Sequence, residues 1–219
     1  MKTAVKNIKD WQQLIQAAEG GDSNAQLEVA LHYDKGIIVR SVEVVSPNAK
    51  MAYEWTKKAY ENGNQEAAET YAYHLSNGIY CIKNTRMAMK LYEDAIKAGS
   101  STAPHNLAIE YRDQHNFKKA FSMYKKDGTD FSIGMCYYYG IGVAQNKLRA
   151  FRFFKKLLKP DNFISGYETN EANYMIGKMY LEGKVVKQSI KRARHHLLLA
   201  NEDGDHRSAE QILWVIGLK

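Results

Sequence analysis

The sequence predicts an all-α protein, a superhelix of stacked helix pairs, and three observations carry that prediction. A large apolar residue followed by a small one, with Tyr or Leu three places on, recurs five times: Val29-Ala30 with Tyr33, Tyr71-Ala72 with Leu75, Leu107-Ala108 with Tyr111, Ile133-Gly134 with Tyr137, and Ile176-Gly177 with Tyr180. Glycine stands six places after the small residue at Gly36, Gly78, Gly140 and Gly183, and only Gln114 departs. A second alanine follows each copy within a run of helix formers, at Ala52, Ala88, Ala120, Ala150 and Ala193. Spacings of three and four put residues on one side of a helix, and the small residue marks where another helix comes close. Glycine past the end supplies the left-handed residue that closes the last turn.

Each repeat is therefore two helices. Sixteen residues separate Ala72 from Ala88, Gly134 from Ala150 and Gly177 from Ala193, and twenty separate Ala52 from Ala72 and Ala88 from Ala108, a period of thirty-six. A helix pair of that length cannot bury its apolar side alone, so such units stack on one continuous core. The expected layout is a single solenoid over 1–219. It has an N-terminal cap helix at 7–20, repeats at about 24–63, 66–99, 102–128, 129–170 and 171–204, and a C-terminal cap helix at 206–217.

Taken in order, the first helix places Ile8, Trp11, Leu14, Ile15 and Ala18 on one side, and Gly20-Gly21-Asp22-Ser23 ends it and caps the next. Between Gly36 and Asn48 the stretch Ile37 to Val45 is β-branched and partly alternating, which suits an ordered loop or short hairpin or, on the sharper reading, a binding lip. The third repeat is compressed around Asp113-Gln114-His115-Asn116, and a bend is expected near Asp127-Gly128. After the fourth repeat a longer loop runs from Lys159 to Asn170, with Pro160 stopping the preceding helix. At the far end Ile212, Leu213, Trp214 and Ile216 are expected to cover the last repeat.

The charge is lopsided. Residues 1–110 carry 12 Lys+Arg against 13 Asp+Glu, net −1, and residues 111–219 carry 19 against 11, net +8, which together make the chain's +7. Between 147 and 159, Lys147, Arg149, Arg152, Lys155, Lys156 and Lys159 alternate with Leu148, Phe151, Phe154, Leu157 and Leu158 as in a basic amphipathic helix. The plain reading is the solvated back of a repeat helix; an acidic protein partner is next, then nucleic acid or an anionic membrane surface. No stretch of eighteen apolar residues or signal-peptide pattern is found, so a cytoplasmic protein without a transmembrane segment is expected. The two cysteines, Cys81 and Cys136, lie in different repeats and are read as reduced thiols.

Motifs for catalysis are missing: there is no phosphate-binding Gly-x4-Gly-Lys-Ser/Thr, no His-Glu-x2-His, no Gly-x-Ser-x-Gly and no Cys-x2-Cys. The repeat already accounts for Gly140-Ile141-Gly142. His195-His196 point about 100° apart on a helix and make a poor ligand pair. His32, His74 and Glu110 share one repeat position, a row that suits separate packing roles better than a metal site or a buried network.

The segment Ile133 to Val143, Ile-Gly-Met-Cys-Tyr-Tyr-Tyr-Gly-Ile-Gly-Val, and the second-helix pattern at Met51-Ala52, Trp55, Lys58-Ala59 and Gly63 resemble the Sel-one-like repeat (SLR) family, a relative of the tetratricopeptide repeat. That resemblance implies a right-handed α/α superhelix of about five Sel-like repeats, no cofactor and no catalytic site. It implies a non-enzymatic protein that binds another protein, read here as a bacterial inhibitor or immunity protein that neutralises a toxin. A general adaptor or scaffold is the alternative, and nucleic-acid binding through the basic C-terminal half ranks below both. In the related tetratricopeptide geometry, groove-facing residues lie three before, one after, and four or five after the small anchor. The partner-binding candidates are then Leu31, Tyr73, Ile109, Arg112, Met135, Tyr138, Tyr139, Tyr174 and Lys178, an aromatic and aliphatic stripe expected on an open surface, or in the core if tight curvature or the compressed third repeat closes the groove on itself.

Overall fold

Residues 5–159 and 165–217 are described by the computed structural model; Pro160, expected to stop the helix before it, lies outside the described residues. Among those residues the chain forms twelve helices and one two-stranded hairpin. The first half contains α1 (Ile8–Glu19), α2 (Ser23–Lys35), β1 (Ile37–Val39), β2 (Val42–Val45), α3 (Ala49–Glu61), α4 (Ala67–Asn77), α5 (Thr85–Lys97) and α6 (Ala103–Asp113). There follow α7 (Phe117–Asp127), α8 (Asp130–Tyr139), α9 (Lys147–Leu157), α10 (Gly166–Glu182), α11 (Ile190–Ala200) and α12 (Arg207–Val215). The helices pair as α2 with α3, α4 with α5, α8 with α9 and α10 with α11, while α7 follows α6 with Lys119 over the Tyr111 ring, an all-α repeat solenoid. They pack as two compact units, Met1–Glu110 and Tyr111–Lys219. That division falls where the charge changes, so the first unit is nearly neutral and the second strongly basic.

Small residues set the helix crossings. All ten anchors, from Ala30 to Ala193, are buried. The two glycines among them sit closer to their neighbours than any side chain allows. A Cβ at Gly134 would lie 2.6 Å from Phe154 Cε1, and one at Gly177 would lie 2.8 Å from Leu197 Cγ. Each close approach joins the first helix of a pair to its second, and around it collect Tyr138, Phe154, Leu157, Met175, Ile176 and Met179 in the second unit. In the first unit the N-terminal cap works in the same way, with Leu14 and Ala18 of α1 packed on Ala25, Val29 and Ala30 of α2.

A second regularity closes every pair. Four residues before each second anchor stands Asn48, Asn84, Asn116, Asn146 or Ser189. In each case its backbone N–H donates back to the first helix: Asn48 to Tyr33 O (2.6 Å), Asn84 to Leu75 O (2.8 Å), Asn116 to Tyr111 O (2.8 Å), Asn146 to Tyr137 O (2.8 Å) and Ser189 to Tyr180 O (3.1 Å). Four of the same residues also cap the second helix with the side-chain oxygen, accepting from the N–H of Met51, Met87, Arg149 and Arg192. One short polar residue thus satisfies a free N–H of the second helix and ties that helix to the first. Asn116 makes the tie without the side-chain cap, and its turn, the tightest of the five, passes through His115 at φ 58°.

The stretch after Gly36 is a hairpin. β1 and β2 run antiparallel with Val39 opposite Val42, and Arg40 and Ser41 between them both take positive φ, the conformation that two-residue hairpin turns use to match strand twist. Gly140 caps α8 in the left-handed conformation, while Gly142, at φ 67°, passes so near α7 that a Cβ would lie 1.9 Å from the Phe117 carbonyl oxygen. Both glycines have packing duties, as the repeat implied.

Two expectations are corrected. The stretch through Asn170 is not all loop: Ser165 caps α10, accepting from the Glu168 N–H, and the seventeen-residue α10 begins at Gly166. Trp214 does not cover the last repeat, being 68% exposed. Ala209, Ile212, Leu213 and Ile216 share the side of α12 that packs on Leu197 and Ala200. Trp214 is turned about 100° on from Leu213 and about 200° from Ile212 and Ile216, which puts it on the far side of the helix.

Candidate functional site

The positions singled out on the first helices divide according to how far the neighbouring helix reaches. In the first unit Leu31 of α2 and Ile109 of α6 are half-buried, whereas Tyr73 of α4 is 50% exposed, its ring edge-on to His74 at 6.3 Å. In the second unit Arg112 lies in solvent against the adjacent Asp113 (3.1 Å), and Met135 packs on the core from its edge. Tyr139 is 54% exposed and stands edge-on to Tyr138 at 4.8 Å. Tyr174 and Lys178 are half-buried.

Tyr138, expected on the open surface, is 4% exposed and part of the core. The reason is Glu182, the last residue of α10, which reaches across to α8. Its Oε1 accepts the Tyr138 hydroxyl at 3.1 Å, and its Oε2 holds Lys147 Nζ at 3.2 Å. Lys147 covers the Tyr138 ring at 4.7 Å, while Lys178 lies 5.9 Å from that ring and 5.4 Å from the Tyr174 ring. The residue four places after the anchor thus turns inward in this repeat, and the one five places after stays in water.

These contacts fix the charge states. Burial, reinforced by the Glu182 charge, pushes the Tyr138 phenol up to about 12. Burial also pushes Glu182 up, but hydrogen bonds from Lys147 and Tyr138 outweigh it and hold the carboxyl below its ordinary value. At neutral pH the cluster is thus a neutral phenol beside a carboxylate, with the Lys147 and Lys178 side chains over the aromatic faces. Tyr174 extends it toward α12, with its ring 4.6 Å from that of His206, whose Nε2 lies 3.4 Å from Glu171 Oε1.

The row His32, His74 and Glu110 resolves into separate environments. His32 sits edge-on to Trp11 and 3.9 Å from Glu28, and His74 is packed against Tyr53. Glu110 is buried and accepts a hydrogen bond from the Ser76 hydroxyl, which is also hydrogen-bonded to the buried Tyr92. Among the described residues, no group of three His, Cys, Asp or Glu side chains is placed to hold a metal ion. The helix pair His195-His196 splits: His195 is exposed, while His196 is buried, stacked on Tyr180 and 2.8 Å through Nδ1 from Asn173 Oδ1. Asn173 donates its own amide hydrogen to Thr169 O (3.1 Å), so its oxygen takes the imidazole N–H. Burial first, then the charge of Lys155, lowers the His196 pKa to about 4. Cys81 and Cys136 are free, and burial pushes the Cys136 thiol up to about 11. Pairing by Glu182 and the Asn173–His196 bond were not read from the sequence. The signal for the second was a polar Asn on the inward side of α10.

The fold defines a solenoid of paired helices whose small anchors and capped turns repeat. The Sel1 repeat family model matches residues 23–64, 66–100, 131–158 and 170–205, more than half of the chain, and the chain belongs to that family. Sel1 repeats mark it as a protein-interaction repeat protein. The compressed α6–α7 pair lies between the matched segments. Among solved structures, a Sel1 repeat protein from Oxalobacter formigenes is similar at 21% identity and a TM-score of 0.71, over 93% of this chain and 82% of that one. A protective antigen present in uropathogenic Escherichia coli strains, displaying an SLR fold, is similar at 20% identity and a TM-score of 0.61. That match covers 91% of this chain and 49% of the antigen, so the chain spans about half the antigen's length. At these identities the likeness is one of fold.

Proposed function

We propose that this chain is a non-catalytic scaffold whose protein partner docks on the first-helix faces, at Tyr139, Tyr174 and Lys178 in the second unit and at Tyr73 in the first. The observation that carries the reading is the exposure of Tyr73 and Tyr139. A half-exposed tyrosine on a helix adds little to the stability of a monomer, yet tyrosine is among the commonest anchors of binding energy. The finer version is a bacterial inhibitor that neutralises a cognate toxin. It draws its support from the irregularities, namely the hairpin after α2, the tight α6–α7 turn and the long α10, which give the repeats individual surfaces suited to one partner.

Tyr73→Ala with Tyr139→Ala tests the docking face. Partner affinity should fall by at least about 2 kcal/mol while helicity by circular dichroism is unchanged, and undiminished affinity would refute it. Co-expression with the product of an adjacent toxin-like reading frame tests the finer version. Growth rescued by the native chain and not by the double variant supports an inhibitor, and binding without rescue supports a general adaptor.

A further inference from the structure

Helix α11, Ile-Lys-Arg-Ala-Arg-His-His-Leu-Leu-Leu-Ala, contains no acidic residue. Its exposed side changes character along its length. Lys191, Arg194 and Leu198 follow one another at spacings of three and four, so they share one face, and Lys191, His195 and Leu199 run alongside at spacings of four. The face is cationic over the first two turns and apolar over the last. Arg192, on the flank, lies over the Tyr180 ring at 5.5 Å.

The apolar end of this face opens into a cleft of about 770 Å³ between α11 and α12. Its apolar walls are Leu198, Leu213, Trp214 and Val215. Three of the four are wet, with Leu198 at 49%, Trp214 at 68% and Val215 at 74% exposure. The volume is that of a site able to take one or two large side chains. Around it the charge reverses: Glu210 sits on the lip, and the turn before α12 bears Glu202, Asp203 and Asp205. Cations lead to an apolar cleft, and acids stand beyond it.

From this order we infer that α11 and α12 form a second docking surface for an acidic amphipathic segment of a protein partner. The segment's carboxylates lie along Lys191, Arg194 and His195, and one or two large apolar side chains enter the cleft beside Trp214. The inference rests on the scaffold reading above and adds a partner chemistry and an orientation to it. A peptide suits the surface because it can place charge at one end and apolar side chains at the other. A nucleic-acid strand carries a phosphate at every step, so a base stacked on Trp214 would bring its phosphates against Glu210 and the acidic turn. Protein–nucleic acid interfaces are also more polar than this cleft.

The test is selection of random sixteen-residue peptides on the full-length chain, followed by anisotropy titration of the enriched sequences. Enriched peptides should contain two or more acidic residues followed by a large apolar one. Their affinity should drop at least about tenfold in Lys191→Glu with Arg194→Glu, and separately in Trp214→Ala, as expected for an interface anchor. Val215→Lys is the independent variant if Trp214→Ala loses helicity, and Lys118→Glu on α7 should bind like the native chain. Failure to enrich any peptide, enrichment of peptides without acids, or binding that ignores the α11 and α12 variants overturns the inference. If that binding instead depends on Tyr73 and Tyr139, the scaffold reading survives and only this surface falls. A twenty-nucleotide oligothymidine, or vesicles of phosphatidylserine and phosphatidylcholine, bound more tightly through Lys191 and Trp214 would also overturn it. So would a dimer, detected by light scattering, that Trp214→Ala dissolves.

Discussion

Replacing Gly177 by alanine sets two opposite effects against each other. In the interior of a helix, glycine to alanine is ordinarily worth about 1 kcal/mol of stability. Here the new Cβ would lie 2.8 Å from Leu197 Cγ, 3.0 Å from Leu197 Cδ2 and 3.3 Å from the Ala193 carbonyl oxygen. Leu197 is fully buried and Cγ is its branch point: rotation about χ2 leaves Cγ where it is, and a new χ1 rotamer would drive the side chain into the close-packed core, so α10 and α11 must separate. Overpacking of this kind costs about 1–3 kcal/mol, so a net loss of about 1 kcal/mol is expected. Leu197→Ala removes Cγ and by itself costs about 2–5 kcal/mol. In that background Gly177→Ala has room, and only its helix-propensity gain remains, so it should stabilise by up to about 1 kcal/mol. The coupling between the two sites is then about 2 kcal/mol. Urea denaturation of the four proteins, followed by circular dichroism with the slopes compared, measures it. Gly177→Ala stabilising the native background, or carrying the same sign in both, would refute the crossing geometry.

Three further outcomes are expected. Ser76→Ala takes the hydroxyl from both Glu110 and Tyr92, and leaving buried groups without that partner should cost about 1–3 kcal/mol, against which an unchanged denaturation midpoint would count. His196 is held neutral in the fold down to about pH 4, while in the unfolded chain it takes a proton near its ordinary 6.5. Stability should therefore decline as pH falls from 6.5 toward 4, by at most about 3 kcal/mol from this group, and His196→Gln should flatten the stability–pH curve over that interval. Cys136, with its thiol pushed up to about 11 and fully enclosed, should resist a thiol-specific reagent at pH 8 in the native protein while Cys81 reacts; Cys81→Ser with Cys136→Ser should leave partner binding intact.

The repeat was legible because its signal is steric. Ala30, Ala72, Ala108, Gly134 and Gly177 are small because another helix occupies the space, and that constraint appears in the sequence at fixed spacing whatever surrounds it. The hairpin was legible as a β-branched interruption. Exposure at the candidate surface was less so. Whether Tyr138 or Tyr139 meets water depends on the carboxylate of Glu182, on a helix more than forty residues away, and the same offset that exposes Arg112 in one repeat buries Ser76 in another. Trp214 was misplaced for a related reason. A nine-residue helix packed at the end of the array buries a single side, and five consecutive apolar residues, Ile212 to Ile216, cannot all lie on it.

The bond from each second-helix cap to its first helix also bears on how the chain can accept new sequence. Tyr33 and Asn48 are fifteen residues apart, Tyr111 and Asn116 five, and the other three pairs nine, yet the same N–H reaches the same carbonyl in all five. Whatever lies between those two residues is a closed loop with pinned ends, so its length is decoupled from the register of the helices. Doubling such a loop costs only about 0.6 kcal/mol of closure entropy. The tips of these loops, Arg40-Ser41 above all, are therefore ports for grafting a foreign peptide or a reporter domain, with the stacked helices beneath left in place.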